Sequence, residues 1–81
     1  MRLLDHEAVN AKVGPRSKAQ RWRDWENDRF PPPTKDGDRN RWPETEIDSY
    51  IRWRIAVRDG TTTITHWSEW WAAECARATA A

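Results

Sequence analysis

A three-residue turn constrains this chain most. Gly14-Pro15-Arg16 stands between two stretches that each carry helix signals. In the first, Asp5 suits an N-cap, and Leu4, Ala8 and Val9 or Lys12 recur at helical spacing. Gly14 suits the position just past a helix end, and Pro15 cannot continue the hydrogen-bond ladder. Ser17-Lys18-Ala19-Gln20 then matches the capping-box pattern, which predicts a second helix from Ser17 to about Asn27 or Asp28. A connection this short lets the two helices cross steeply.

At 100° per residue, Ala19, Trp22 and Trp25 share one stripe of the second helix. That stripe is expected to be buried. Gln20 and Asp24 lie opposite, flanked by Arg21 and Arg23, and are expected to carry their hydrogen-bonding heads into solvent.

Arg29-Phe30-Pro31-Pro32-Pro33 breaks the chain, because three prolines exclude a helix and a central strand. Phe30 is expected to pin this segment to the core. Thr34 to Trp42 contains Asp36-Gly37, a hairpin turn signal, and reads as a two-stranded wing with charge at its tip. Pro43 suits the first turn of a further helix, whose early Glu44, Glu46 and Asp48 complement the helix dipole. Ile47, Tyr50, Ile51 and Ile55 form its expected core stripe, while Trp53 lies about 120° from the stripe's centre. Asp59-Gly60 ends it. Thr61 to Thr65 reads as an edge strand or a linker, and His66 to Ala81 as an amphipathic helix with Trp67, Trp70, Trp71, Cys75 and Ala78 on one face.

The expected fold is therefore mainly α with a small β-hairpin wing. It is a winged helix-turn-helix domain over residues 1–60, with an additional C-terminal helix in an extension over residues 61–81. Eighty-one residues make one domain with a thin core, in which seven tryptophans supply buried area at about 150–250 Å² each. Cys75 stands alone in the sequence, so no disulfide forms within the chain, and a reducing cytoplasm is the expected location. The first residues lack the apolar run of a signal peptide, and no run of about 18 apolar residues exists to span a membrane.

Chemistry of the catalytic kind has little to stand on. His6 and His66 are isolated, Asp36 and Asp38 at a hairpin tip make a poor metal pair, and no phosphate-cradling glycine loop occurs. A protein without enzymatic activity, metal or cofactor is expected.

Net charge is +1, but the charge is unevenly spread. Lys12 to Arg23 contains five basic residues and no acidic one. Such a stripe reads either as a solvated cationic face or as a polyanion site. With a helix-turn-helix beneath it, double-stranded DNA becomes the expected partner. Ser17, Lys18, Gln20, Arg21 and Asp24 would form the reading head in the major groove, with Arg16 and Arg23 on phosphates. Lys35, Arg39, Asn40 and Arg41 on the wing would reach the adjacent minor groove or backbone. The alternative for Arg39 and Arg41 is a charged tip that protects a sheet edge.

Arg29-Phe30-Pro31-Pro32-Pro33, Gly37, Arg41-Trp42-Pro43-Glu44-Thr45-Glu46-Ile47-Asp48-Ser49-Tyr50 and Arg54-Ile55-Ala56-Val57-Arg58-Asp59 together resemble the AlpA-type regulators and phage-like excisionases. The resemblance covers about residues 3–59. It departs from the family at Asp28, where a glycine usually precedes the Phe-Pro pair by two positions, and at Trp22-Arg23, where tyrosine-arginine is usual. It implies a winged helix-turn-helix related to the MerR N-terminal domain. It also implies an excisionase, or recombination directionality factor, that binds and bends attachment-site DNA for a tyrosine integrase. A transcriptional regulator of prophage or integrative-element genes is the alternative. Trp67, Trp70 and Trp71 lie beyond the resemblance. They read either as a helix folded back over Trp53 and Val57 or as an oligomer or partner interface that supports self-association on DNA.

Overall fold

A computed structural model describes residues 2–80, with side chains through residue 78. It contains four helices and a three-stranded antiparallel sheet and is mostly helical. The order is β1 (Leu3–Leu4), α1 (His6–Val13), α2 (Lys18–Glu26), β2 (Thr34–Asp36), β3 (Arg39–Pro43), α3 (Glu44–Asp59) and α4 (Trp67–Ala80).

The helix boundaries follow from their caps. Asp5 accepts from the Ala8 N–H at 2.8 Å and starts α1. Gly14 closes α1 at φ 104°, its N–H donating to the Asn10 carbonyl at 2.9 Å. At the start of α2 the Ser17 hydroxyl accepts from the Gln20 N–H at 3.1 Å, and the Gln20 amide oxygen accepts from the Ser17 N–H at 3.4 Å. Each group thus satisfies a donor that the helix itself leaves unpaired.

The end of α2 is unusual in its residue. Asp28 takes the left-handed position at φ 57°, normally held by glycine. The Arg29 N–H donates to the Asp24 carbonyl at 2.8 Å and the Asp28 N–H to the Trp25 carbonyl at 3.1 Å, which completes a Schellman closure.

β3 is the central strand. It pairs with β2 through Thr34↔Arg41, Lys35↔Asn40 and Asp36↔Arg39, and with β1 through Leu3↔Pro43 and Leu4↔Trp42. The β2–β3 loop is Gly37-Asp38, with Gly37 at φ 67°. The turn thus lies one residue beyond Asp36-Gly37. The two-residue strand β1 has no counterpart in the sequence reading, because two residues are too few to show a period.

Two apolar clusters make the core. Leu4, Val9, Phe30, Trp42 and Ile47 are buried in the first, against which Trp25, Tyr50 and Ile51 pack. Trp53, Trp67 and Trp70 are buried in the second, with Tyr50, Ile64 and Trp71 against them. Tyr50 belongs to both; its ring lies 4.7 Å from Phe30 and 5.9 Å from Trp53, each an edge-to-face contact. The buried indole N–H groups find acceptors: Trp42 donates to the Pro31 carbonyl, Trp53 to the Ile64 carbonyl and Trp70 to the Ser49 hydroxyl.

Burial expectations are corrected at Ala19, Trp22 and Ile55; Ala19 is exposed rather than buried. Trp22 is 53 % exposed rather than core, and Ile55 is 43 % exposed rather than part of the α3 stripe. Trp53, off the stripe, is 1 % exposed. The reason for Trp53 is α4, which covers a second face of α3 that a one-stripe reading leaves in solvent. Residues 61–66 form no strand; they run to α4 as an irregular connection in which Ile64 packs on the second cluster. No described helix is long and apolar enough to cross a membrane.

Candidate nucleic-acid interface

The corner between α1 and α2 is held by an arginine. Arg21 is only 2 % exposed. Its Nη2 donates to the Asn10 side-chain oxygen at 2.5 Å and to the Gly14 carbonyl at 3.1 Å, and its guanidinium lies 4.6 Å over the Phe30 ring. Burial pushes its pKa below the ordinary arginine value, and the hydrogen bonds with the ring face offset the loss of water. Arg21 therefore does not stand on the outer face of α2, which corrects its place in the expected reading head. The helix is rotated so that Arg21 and Trp25 face inward and Trp22 outward. A stripe drawn through the apolar residues of α2 cannot anticipate this, since the side chain that fills the corner is charged.

The remaining reading-head residues are on the surface in different states. Lys18 and Arg23 are exposed and form no ion pair among the described residues. Ser17 and Gln20 are exposed but engaged in the capping box. Arg16 and Asp24 hold one another, with Nε 2.8 Å from Oδ2 and Nη2 donating to Oδ1 at 3.3 Å. Such a solvent-exposed pair is worth about 0–1 kcal/mol, so an arriving phosphate can take Arg16 from Asp24 at little cost.

The hairpin stands beside α2. A cleft of about 740 Å³ is lined by Lys18, Arg21 and Trp25 on one side and by Asp38, Arg39, Asn40, Arg41 and Trp42 on the other, with Asp5, His6 and Glu7 at its end. A second, of about 550 Å³, lies between Trp22, Trp25 and Glu26 and Pro32, Pro33, Lys35 and Asn40. Asn40 lines both, half-buried, and its Oδ1 is buried with no hydrogen-bond partner. Arg41 is half-buried beside Asp36, its Nε 2.8 Å from Oδ2, whereas Lys35 and Arg39 are exposed.

Charge pairing divides the chain. Arg2, Lys12, Arg16, Arg41, Arg52, Arg58 and Arg77 all take part in ion pairs. Arg54 lies over the Trp53 ring. Apart from Arg54, the exposed cations without an ion pair among the described residues are Lys18, Arg23, Arg29, Lys35 and Arg39. All lie between the start of α2 and the start of β3. Elsewhere most cations are neutralised: Lys12, for example, bridges Glu44 at 3.1 Å and Asp48 at 2.6 Å, which hold its pKa above 10.5.

The C-terminal tryptophans are not an open surface. Trp67 and Trp70 are 2 % and 7 % exposed, packed on Trp53, and Trp71 is half-buried, stacked on Trp67 at 5.5 Å. Of the two readings of Trp67, Trp70 and Trp71, the structure has the helix folded back over Trp53, with Trp67 and Trp70 buried rather than offered as an oligomer or partner interface. Ser49 and Glu74 lock it there. The Ser49 hydroxyl donates to Glu74 Oε1 at 2.6 Å, and Arg52 and Arg77 bind the same carboxylate. Burial pushes the Glu74 carboxyl up, but hydrogen bonds from Ser49, Arg52 and Arg77 outweigh it and hold the pKa at about 2.

Sequence reasoning missed two residues of this surface. Arg29, just past the end of α2, gives only one signal, a cation in a proline-bounded break. Trp22 gives a misleading one, since its apolarity argues for the interior. Comparison with known proteins brings no match: no family model, no curated protein and no solved structure matches the chain.

Proposed function

We propose that the protein binds double-stranded DNA as a small winged helix-turn-helix module, with α2 as the major-groove helix and the β2–β3 hairpin as the wing. One observation carries this reading. Among the described residues, five of the six exposed cations without a carboxylate partner, Lys18, Arg23, Arg29, Lys35 and Arg39, lie in α2, the segment after it and the hairpin; the sixth, Arg54 on α3, lies over the Trp53 ring. Unpaired cations gathered on one part of an otherwise largely neutralised surface suit a partner that presents many phosphates. The 16-residue α3 and the folded-back α4 serve as scaffold, and the hydrogen bonds of Arg21 at the α1–α2 corner present α2 at a preset angle.

Within that reading, the role we propose is that of an excisionase working beside a tyrosine recombinase, binding and bending attachment-site DNA. The role rests on the resemblance of residues 3–59, whereas the DNA-binding rests on the charge distribution. Gel-shift titration against duplex DNA over a range of salt tests the binding. The logarithm of affinity should fall linearly with the logarithm of salt, and each neutralised phosphate-bound cation should lower the slope by about 0.9. A salt-independent affinity would refute it. Footprinting then tests the role: clustered repeats within an attachment region support excision, and a single promoter operator supports a regulator.

A further inference from the structure

Trp22 is the anomaly of α2. The helix hides its arginine at position 21 and shows an indole that is 53 % exposed. Trp22 belongs to neither apolar cluster. Its surroundings are charged: Lys18 lies one turn before it, Arg23 beside it, and Lys35 across the cleft of about 550 Å³ that the indole lines. None of these three cations has an ion pair among the described residues. Ala19, three residues before Trp22 and so on the same side of the helix, is small and exposed and leaves the indole open to approach.

Glu26, one turn after Trp22, also lines this cleft, so the indole has three unpaired cations and one carboxylate around it. An apolar plate with that net positive surround fits a partner that is anionic and also offers hydrocarbon. Duplex DNA has one such group in its major groove, the C5-methyl of thymine. We propose that Trp22 packs on a thymine methyl and so makes α2 selective for an A·T pair at that step. The inference rests on the DNA-binding reading above. It adds a specificity-determining residue whose recognition is apolar, beside the polar Ser17, Gln20 and Asp24, of which Ser17 Oγ and Gln20 Oε1 are engaged in the cap.

The test uses the full chain and a duplex selected by it from a random pool. The duplex is made twice, once with thymine and once with uracil, which differs only by the methyl group, and affinities are read by fluorescence anisotropy. Wild-type protein should bind the uracil duplex about fourfold more weakly for each methyl contacted. Trp22→Ala should bind the thymine duplex no better than the uracil one, with an unchanged melting temperature. Equal wild-type affinity for the two duplexes overturns the proposal, and this arm needs no variant to fold. A Trp22→Ala protein that keeps the thymine preference overturns it as well. Weakening of Trp22→Ala by the same factor on both duplexes, with no wild-type preference, assigns the indole to sugar contacts or to a protein and leaves DNA binding standing. If no duplex is selected at all, the DNA-binding reading itself has failed, a result distinct from each of these.

Discussion

Asp28 caps a helix to which it does not belong: its carboxylate accepts from the Ser68 N–H at 3.0 Å and from the Ser68 hydroxyl. Its carbonyl also accepts from the Trp67 N–H at 2.7 Å. Two first-turn donors of α4, which no turn of that helix can reach, are thus met from the end of α2. The same residue closes α2 in a left-handed conformation. An aspartate where glycine is usual costs some backbone strain and gains the start of another helix.

Asp28→Gly should therefore remove the cap while relieving the backbone. A net loss of about 1 kcal/mol is expected. Asp28→Ala loses the cap and keeps the left-handed strain, so its loss should be larger, about 1–2 kcal/mol. Thermal melting should rank wild type above the glycine variant and that above alanine. Amides of Trp67 to Trp71 should exchange faster in both.

Arg21 and the outer cations should separate stability from binding. Arg21→Ala leaves Asn10 and the Gly14 carbonyl without their donor and opens space beside Phe30, at a cost of about 2–4 kcal/mol. The salt slope of DNA binding should be unchanged, because Arg21 meets no phosphate, while affinity falls as α2 loses its preset angle. Joint replacement of Lys18 and Arg39 by alanine should do the reverse. Stability should move by less than about 0.5 kcal/mol, while the salt slope of binding drops by about 2. Urea unfolding and anisotropy titrations on the same samples read both; an altered slope in Arg21→Ala would return that residue to the DNA face.

Glu74 gives the fold an acid-sensitive latch. Its folded pKa of about 2 lies below the ordinary 4.5, so the stabilisation is complete above about pH 4.5 and is lost as pH falls toward 2. Because its arginine partners are largely exposed, about 1–2 kcal/mol is the expected size. Glu74→Gln should flatten that part of the profile, measured as the urea midpoint between pH 2 and 7. A variant as acid-sensitive as the wild type would show that the latch lies elsewhere.

Trp70→Ala should cost about 3–5 kcal/mol, because it empties the second cluster and takes the donor from Ser49. In a small domain with about 5–10 kcal/mol in hand, the variant should lose about half of its stability and melt well below the wild type, as read by circular dichroism.

Much of the local structure was legible in the sequence because it is written in local chemistry. Asp5, Gly14, Ser17 with Gln20, Gly37 and Gly60 act through hydrogen bonds or backbone conformations that depend on a few neighbours. The rotation of α2 was not legible, since it depends on Asn10, Gly14 and Phe30 accepting a guanidinium from another element. The burial of Trp53 was legible only as one of two readings, since it waits on a helix that begins fourteen residues later. The candidate surface was half legible. A count of charges locates a basic stripe, but which cations stay unpaired depends on where the carboxylates fold. Arg16 and Arg41 find Asp24 and Asp36, while Arg29 and Arg39 find none.

Tyr50 joins the two apolar clusters through Phe30 on one side and Trp53 and Trp67 on the other. A chain of this size with two separate cores would open in stages, its C-terminal helix exchanging its amides long before the rest. With one ring shared between the cores, loosening α4 also removes support from Phe30, and through it from the guanidinium that sets the angle of α2. The protected amides of α1 and α4 should then belong to a single cooperative opening unit, so that damage far out on the C-terminal helix reaches the opposite end of the molecule.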